Sequence, residues 1–206
     1  MTPKLITERL ILREIKGNDL FGYYEILSDS ETMNLFGGSI LTNDLDKIDF
    51  VQRMRSEREQ GIVYFWTITI KEEKEFIGFI RLMSYNSGYY DASFSLMGEF
   101  RFDKEFLKDF DRINGWEIDY ALVSNQRNKK IMREAIGAVL EFCVAKNLSP
   151  IYAKVNSMSN SATVKVLRYH NFKEHSLQGA PELFEMYDAK SLIEKNEIGM
   201  IFKWTI

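Results

Sequence analysis

The apolar positions change period along the chain, and that change predicts the elements. Leu10-Ile11-Leu12-Arg13 reads as a first strand, and Gly17-Asn18-Asp19 offers a turn and a helix start before Leu20, Tyr23, Tyr24 and Leu27. Thr42 to Asp44 offers a second helix start, followed by Leu45, Ile48, Val51 and Met54 at three-residue spacings. From Ile62 to Ile70 the chain alternates, with Phe65, Thr67 and Thr69 against Trp66, Ile68 and Ile70. After the charged turn Glu72 to Glu75, Phe76 to Met83 returns as a second strand, so the two predict an antiparallel hairpin. Ser84 to Asn114 is aromatic and charged by turns and reads as an insertion.

The second half has a different rhythm. Glu117 to Val123 is a short apolar strand, and Ser124 to Lys130 a polar, basic turn. Ile131, Met132, Ala135, Ile136, Val139, Leu140 and Cys143 then form one helical stripe ending near Asn147, which places Cys143 in the core. Ser149-Pro150 breaks it, and Ile151 to Val155 is another strand. Asn156 to Asn160 is a polar loop before a short helix with Thr163, Val166 and Leu167 inward, and Met200 to Ile206 reads as a last strand. Strand, helix, strand, helix in succession argues for two neighbouring parallel strands. With the antiparallel first half, the prediction is an α/β (α+β) mixed sheet flanked by helices, one domain over residues 1–206 with an insertion near 84–114.

Composition narrows the function classes. The net charge of -3 gives no general attraction to nucleic acid. A single cysteine excludes an intramolecular disulfide, and with two histidines beside it no structural zinc site is expected; no metal is predicted. No apolar run approaches the length of a membrane span, and no signal-peptide core opens the chain, so the expectation is a cytoplasmic protein with neither membrane nor nucleic-acid partner.

Candidate chemistry gathers at the loop Arg127-Asn128-Lys129-Lys130-Ile131-Met132, where four of the seven residues from Arg127 to Arg133 are basic. A helix N-terminus with unpaired N–H groups suits an anion; a solvated basic helix start is the plainer reading. Asn160 suits the cap of the helix that follows it. Thr7-Glu8-Arg9-Leu10-Ile11-Leu12-Arg13, Glu117-Ile118-Asp119-Tyr120-Ala121-Leu122, the Arg127–Met132 loop, and Asn160 to Leu167 followed by Asn171-Phe172 occur in an order that resembles the GNAT acetyltransferases, in the branch of the ribosomal-protein N-terminal (Rim-type) enzymes.

That resemblance implies a mostly antiparallel sheet with a splayed parallel strand pair, acetyl-CoA lying in the opening as co-substrate, and an amine-bearing acceptor, either a small molecule or a protein N-terminus. It implies that Arg127, Asn128, Lys129, Lys130, Ile131 and Met132 hold the cofactor phosphates, that Asn160 and Thr163 hold the pantetheine arm, and that backbone N–H groups near Leu122 and Val123 meet the developing oxyanion. Glu117 is the candidate base, with Asp119 second. The family's usual glycines are replaced by Asn128 and Lys130; the Lys130 side chain either blocks the phosphates or turns outward as an added cation. Many members use a helix tyrosine seven residues after the motif asparagine; that position is Leu167 here, and Tyr169 points away from it. A homodimer is compatible with the sequence. Two other functions stay open: a degenerate GNAT-fold sensor that binds CoA or another anion, and an interaction protein docking through the aromatic insertion.

Overall fold

The structure, a computed structural model, describes residues 2–36, 59, 63–84, 115–155, 160–175 and 200–206. The expected helix over 42–54 and all but the first residue of the expected insertion lie outside the described residues, as does the loop 156–159. Among the described residues, eight strands form one sheet in the order β1-β2-β3-β4-β5-β6-β8-β7. They are β1 (Leu5–Ile6), β2 (Leu10–Arg13), β3 (Val63–Ile70), β4 (Phe76–Ser84), β5 (Trp116–Leu122), β6 (Ile151–Val155), β7 (Lys173–His175) and β8 (Met200–Trp204). The described helices are α1 (Leu20–Ser28), α2 (Ser30–Phe36), α3 (Ile131–Lys146) and α4 (Ser161–Tyr169). No helix among the described residues is long and apolar enough to cross a membrane.

The β3–β4 hairpin forms as predicted, with Trp66 opposite Ile80 and Phe65 opposite Arg81. Both faces of these strands are buried, so their alternation sorts side chains between two covering layers rather than between core and water. One face carries Phe65 and Phe79, which pack on Tyr23 of α1 at ring separations of 5.3 Å and 5.3 Å. The other carries Tyr64 and Trp66, which meet Phe142 of α3 edge-on at 5.0 and 5.5 Å. The seven-residue stripe of α3 is buried throughout, as its spacing requires. Burial pushes the Cys143 thiol up to about 12, which suits an inert core residue.

Helix α4 differs from expectation. Val164 and Leu167 are its buried residues, while Thr163 and Val166 are partly exposed. The Asn160 side chain accepts the Thr163 N–H at 3.2 Å and so fixes where the helix begins and which face turns inward.

Strand β5 pairs antiparallel with β4 and parallel with β6. The β5–β6 register holds only Trp116 with Ile151 and Glu117 with Tyr152, although β5 continues to Leu122 and β6 to Val155. Beyond those two pairs the parallel strands diverge, which is the splay that the family resemblance implies. Strand β8 closes the other edge of β6, antiparallel, with Ala153 opposite Phe202. Gly78 lies opposite Leu122, and a Cβ there would stand 2.4 Å from the Ala121 carbonyl oxygen, so the tight β4–β5 contact beside the splay demands glycine.

Candidate active site

The divergence of β5 and β6 opens a cavity of about 560 Å³. Its walls come from β5, from the loop 127–130 with the first turn of α3, from α4 and from α2. Backbone direction along β5 decides what faces it. Val123 donates its N–H to the Ile77 carbonyl at 3.0 Å, and Trp116 donates to the Pro150 carbonyl at 2.9 Å. Peptide groups alternate along a strand, so odd residues of β5 serve β4 and even residues serve the β6 side. Past Glu117 the peptide groups of Ile118, Tyr120 and Leu122 therefore face the gap. The expectation of backbone donors near Leu122 and Val123 is corrected to Leu122: the Val123 N–H is held in the sheet, and Val123 does not line the cavity.

The loop answers the question raised by its missing glycines. Asn128 has φ 63° and Lys130 has φ 60° with ψ 15°, both in the left-handed region that glycine occupies most easily. The replacements keep the backbone shape of a glycine loop, and the Lys130 side chain is exposed at the cavity wall. Lys130 makes no side-chain cap, so the first N–H groups of α3 are left to the cavity.

The basic residues of the loop are not equivalent. Arg127 lines the cavity, but its guanidinium is drawn to the start of α2, with Asp29 at 3.3 Å, Glu31 at 3.4 Å and a hydrogen bond donated to the Thr32 hydroxyl. The hydroxyl and N–H of Thr32, with Arg127 beside them, hold the Asp29 carboxyl below its usual range. Lys129 turns away, donating to Gln126 Oε1 at 3.0 Å, and is not part of the cavity wall. Its carbonyl accepts from Arg9 Nη1 at 3.2 Å. The Arg133 guanidinium lies 3.0 Å from the ring centre of Tyr169. Ile131 and Met132 are buried and still contribute to the wall.

The segment Thr7–Arg9 acquires a physical role here. Glu134 of α3 accepts from the Thr7 hydroxyl, from the Arg9 N–H at 2.8 Å and from Arg9 Nε at 2.6 Å. Burial pulls the Glu134 carboxyl up, but these donors outweigh it and hold the carboxyl below its usual range. The β1–β2 turn thus clamps the start of α3 from behind the loop. The sequence separation of 125 residues hid this clamp from any pattern along the chain.

Glu117 is buried, 1% exposed, at the last position where β5 pairs with β6, and it lines the cavity. Its parity places it on the α1 face of the sheet with Asp119 and Arg81. Arg81 donates from Nε to Asp119 Oδ2 at 2.9 Å and to Oδ1 at 3.1 Å, with Nη2 adding a further bond to Oδ2. That fork neutralises Asp119, which makes it a holder of Arg81 and a poor proton acceptor. On the opposite face, Tyr120 and Ile118 look towards α3 and α4. Asn160 and Thr163 line the cavity from α4; Leu167 is wholly buried, and Tyr169 is 53% exposed at the rim. Among the described residues no group of three His, Cys, Asp or Glu side chains gathers to hold a metal ion.

The sequence model of the acetyltransferase (GNAT) domain family matches residues 9–173. No curated protein matches the chain at the sequence level. Among solved structures, the fold is similar to that of an acetyltransferase from Agrobacterium tumefaciens, with 17% identity and a TM-score of 0.65 over 100% of this chain and 96% of that one. It is similar to Mycobacterium smegmatis RimJ in complex with CoA-disulfide, with 16% identity and a TM-score of 0.61 over 95% and 81% of the two chains. It is also similar to the spermidine N-acetyltransferase from Vibrio cholerae in complex with CoA and spermine, with 16% identity and a TM-score of 0.61 over 82% and 84%. At these identities the likeness is one of fold.

Proposed function

The chain belongs to the acetyltransferase (GNAT) domain family, and we propose that it moves the acetyl group of acetyl-CoA to a primary amine with Glu117 accepting the amine's proton. The observation that carries the reading is the splay itself. One cavity is bounded by an uncapped helix N-terminus, by the gap-facing peptide edge of β5 and by a buried carboxylate. Acetyl-CoA supplies an activated acyl group. The α3 N-terminus, with Asn128, Lys130, Ile131 and Met132 around it, would receive its phosphates through backbone N–H groups and partial positive charge. Asn160 and Thr163 would flank the pantetheine arm. The Leu122 N–H, aimed into the gap, would meet the carbonyl oxygen as negative charge develops there.

The acceptor in this reading approaches from the α1 and α2 face, where Glu117 and Glu31 line the cavity. A carboxylate buried at that point can take the proton that an ammonium must lose before attack, or that the amine nitrogen loses on attack, directly or through a water. The C–N bond would form as the thioester C–S bond breaks, and CoA would leave as a thiolate that takes up a proton. The acceptor class is an amine on a small molecule or at a protein N-terminus. The left-handed backbone at Asn128 and Lys130 supports cofactor binding, which the sensor alternative shares; turnover with an amine separates the two. The interaction reading rests on aromatics that lie outside the described residues.

The test is Glu117→Gln. Turnover with a panel of primary amines should fall by about 10²–10⁴-fold, the usual contribution of a positioned base, while acetyl-CoA affinity is retained. Unchanged turnover would remove Glu117 from the proton path.

A further inference from the structure

The hydroxyl of Tyr120 is the one buried side-chain polar atom among the described residues that has no hydrogen-bond partner. Folded proteins rarely leave such an atom unmet, and each exception calls for a reason. Apolar packing on the α3 face does not supply one, because a phenylalanine would fill the same strand position equally well. Solvent does not supply one either: the oxygen is covered by its neighbours, and only a group that displaces them on entering between β5 and α4 reaches it.

The position of the residue suggests what is missing. Tyr120 lies on the gap-facing parity of β5, two residues before Leu122, and it lines the cavity. The Thr163 side chain of α4 is a hydrogen-bonding neighbour that offsets part of the effect of burial on the phenol, but the pair falls short of full hydrogen-bond geometry. Asn160 and Thr163, both on the cavity wall, stand on this same side. Glu117 stands on the other face of the sheet, so the phenol is directed to the side of the acyl donor and away from the side of the base.

We propose that Tyr120 is a cofactor-binding residue, its O–H donating a hydrogen bond to a carbonyl oxygen of an acyl-pantetheine thioester where the arm passes between β5 and α4. The inference rests on the acyl-CoA reading given above and adds to it a donor that the family motifs do not single out. Burial pushes the Tyr120 hydroxyl well above its ordinary range, so it stays protonated wherever an amine acceptor is deprotonated and serves as a donor, with no proton transferred.

The test is isothermal titration of the full chain with CoA and with acetyl-CoA, native and Tyr120→Phe, together with thermal unfolding of both proteins without ligand. The expected result is a ligand-free variant as stable as the native protein or more so, with acetyl-CoA affinity reduced roughly tenfold, the size of one hydrogen bond made to an otherwise unmet group. Loss for acetyl-CoA alone would place the contact on the thioester carbonyl; loss for both ligands would place it on an amide carbonyl of the arm. Unchanged affinity in Tyr120→Phe would overturn the inference and leave the acyl-CoA reading standing. A variant that fails to fold, or loses stability with its affinity intact, would overturn it equally, by making the hydroxyl a structural group. Absence of binding by the native protein would overturn the acyl-CoA reading itself, and this inference with it.

Discussion

Lys130→Gly should stabilise the protein, because the native residue is held where a side chain is unfavourable. Lys130 sits at φ 60° and ψ 15° as the residue before α3. A left-handed conformation costs a residue with a Cβ roughly 1–2 kcal/mol. Glycine removes that strain but loses about 0.5–1 kcal/mol through the greater freedom of its unfolded state. The exposed side chain packs on little, so its removal adds no large term. The net gain is about 0.5–1 kcal/mol, which for a chain of 206 residues is a rise of about 1–4 °C in Tm. Urea and thermal unfolding measure it. Lys130→Ala is the control, since it removes the charge while keeping the strain, and it should show no gain. A Lys130→Gly protein less stable than the native one, with an unchanged denaturant slope, would refute the argument and mean that the loop is not left-handed at this residue. Acetyl-CoA affinity should change less than about fivefold, as expected for one exposed cation near a helix N-terminus; a large gain in affinity would mean that the native side chain obstructs the phosphates.

Glu134→Gln should cost about 1–3 kcal/mol in urea unfolding, because the clamp from Thr7 and Arg9 loses its charged acceptor. The native Glu134 carboxyl is held below its ordinary value of 4.5, so its stabilisation is present above that pH and is lost as pH falls through the lower folded value. His170 gives a second pH window. Burial, with Arg133 nearby, lowers it from 6.5, outweighing the bond its Nε2–H donates to the Arg133 carbonyl at 2.7 Å. The folded state therefore resists protonation, and stability should fall as pH drops below 6.5 towards the folded value. His170→Gln should flatten that part of the stability curve; an unaltered slope in the variant would show that other groups govern it.

What was legible in the sequence is what short-range periodicity encodes. The α3 stripe and the β3–β4 hairpin each repeat within one element, so both appeared along the chain as they appear in the fold. The splay was expected only through the family resemblance, because nothing along the chain says that pairing stops at Glu117 and Tyr152. Helix α2 was missed. Its start is set by Asp29, which accepts the Thr32 N–H at 2.9 Å, and its seven residues are too few for a clear period. The place of β8 beside β6 is a pairing across about fifty residues, and no local pattern carries that information. Lys130 is the sharpest case. Its identity argues against a glycine loop, and only the backbone angle shows that the loop kept its shape.

The site depends on the parity of a single strand. Along β5 the side chains alternate, so Glu117 reaches the acceptor face and Tyr120 the cofactor face, while the peptide edge between them opens on the gap. A slip of one residue against β4 would exchange the two faces and turn the peptide edge away. The buried pair of Arg81 and Asp119 opposes that slip. The two residues are directly opposite in the register, with side chains 7% and 11% exposed. A one-residue shift would set Arg81 against Ile118 or Tyr120, and an unpaired buried guanidinium costs about 3–5 kcal/mol. The pair contributes little net stability in the correct register, where desolvation offsets most of its attraction. Its effect is on the alternatives: it makes the register that separates base from acyl donor the only one in which both charges are matched.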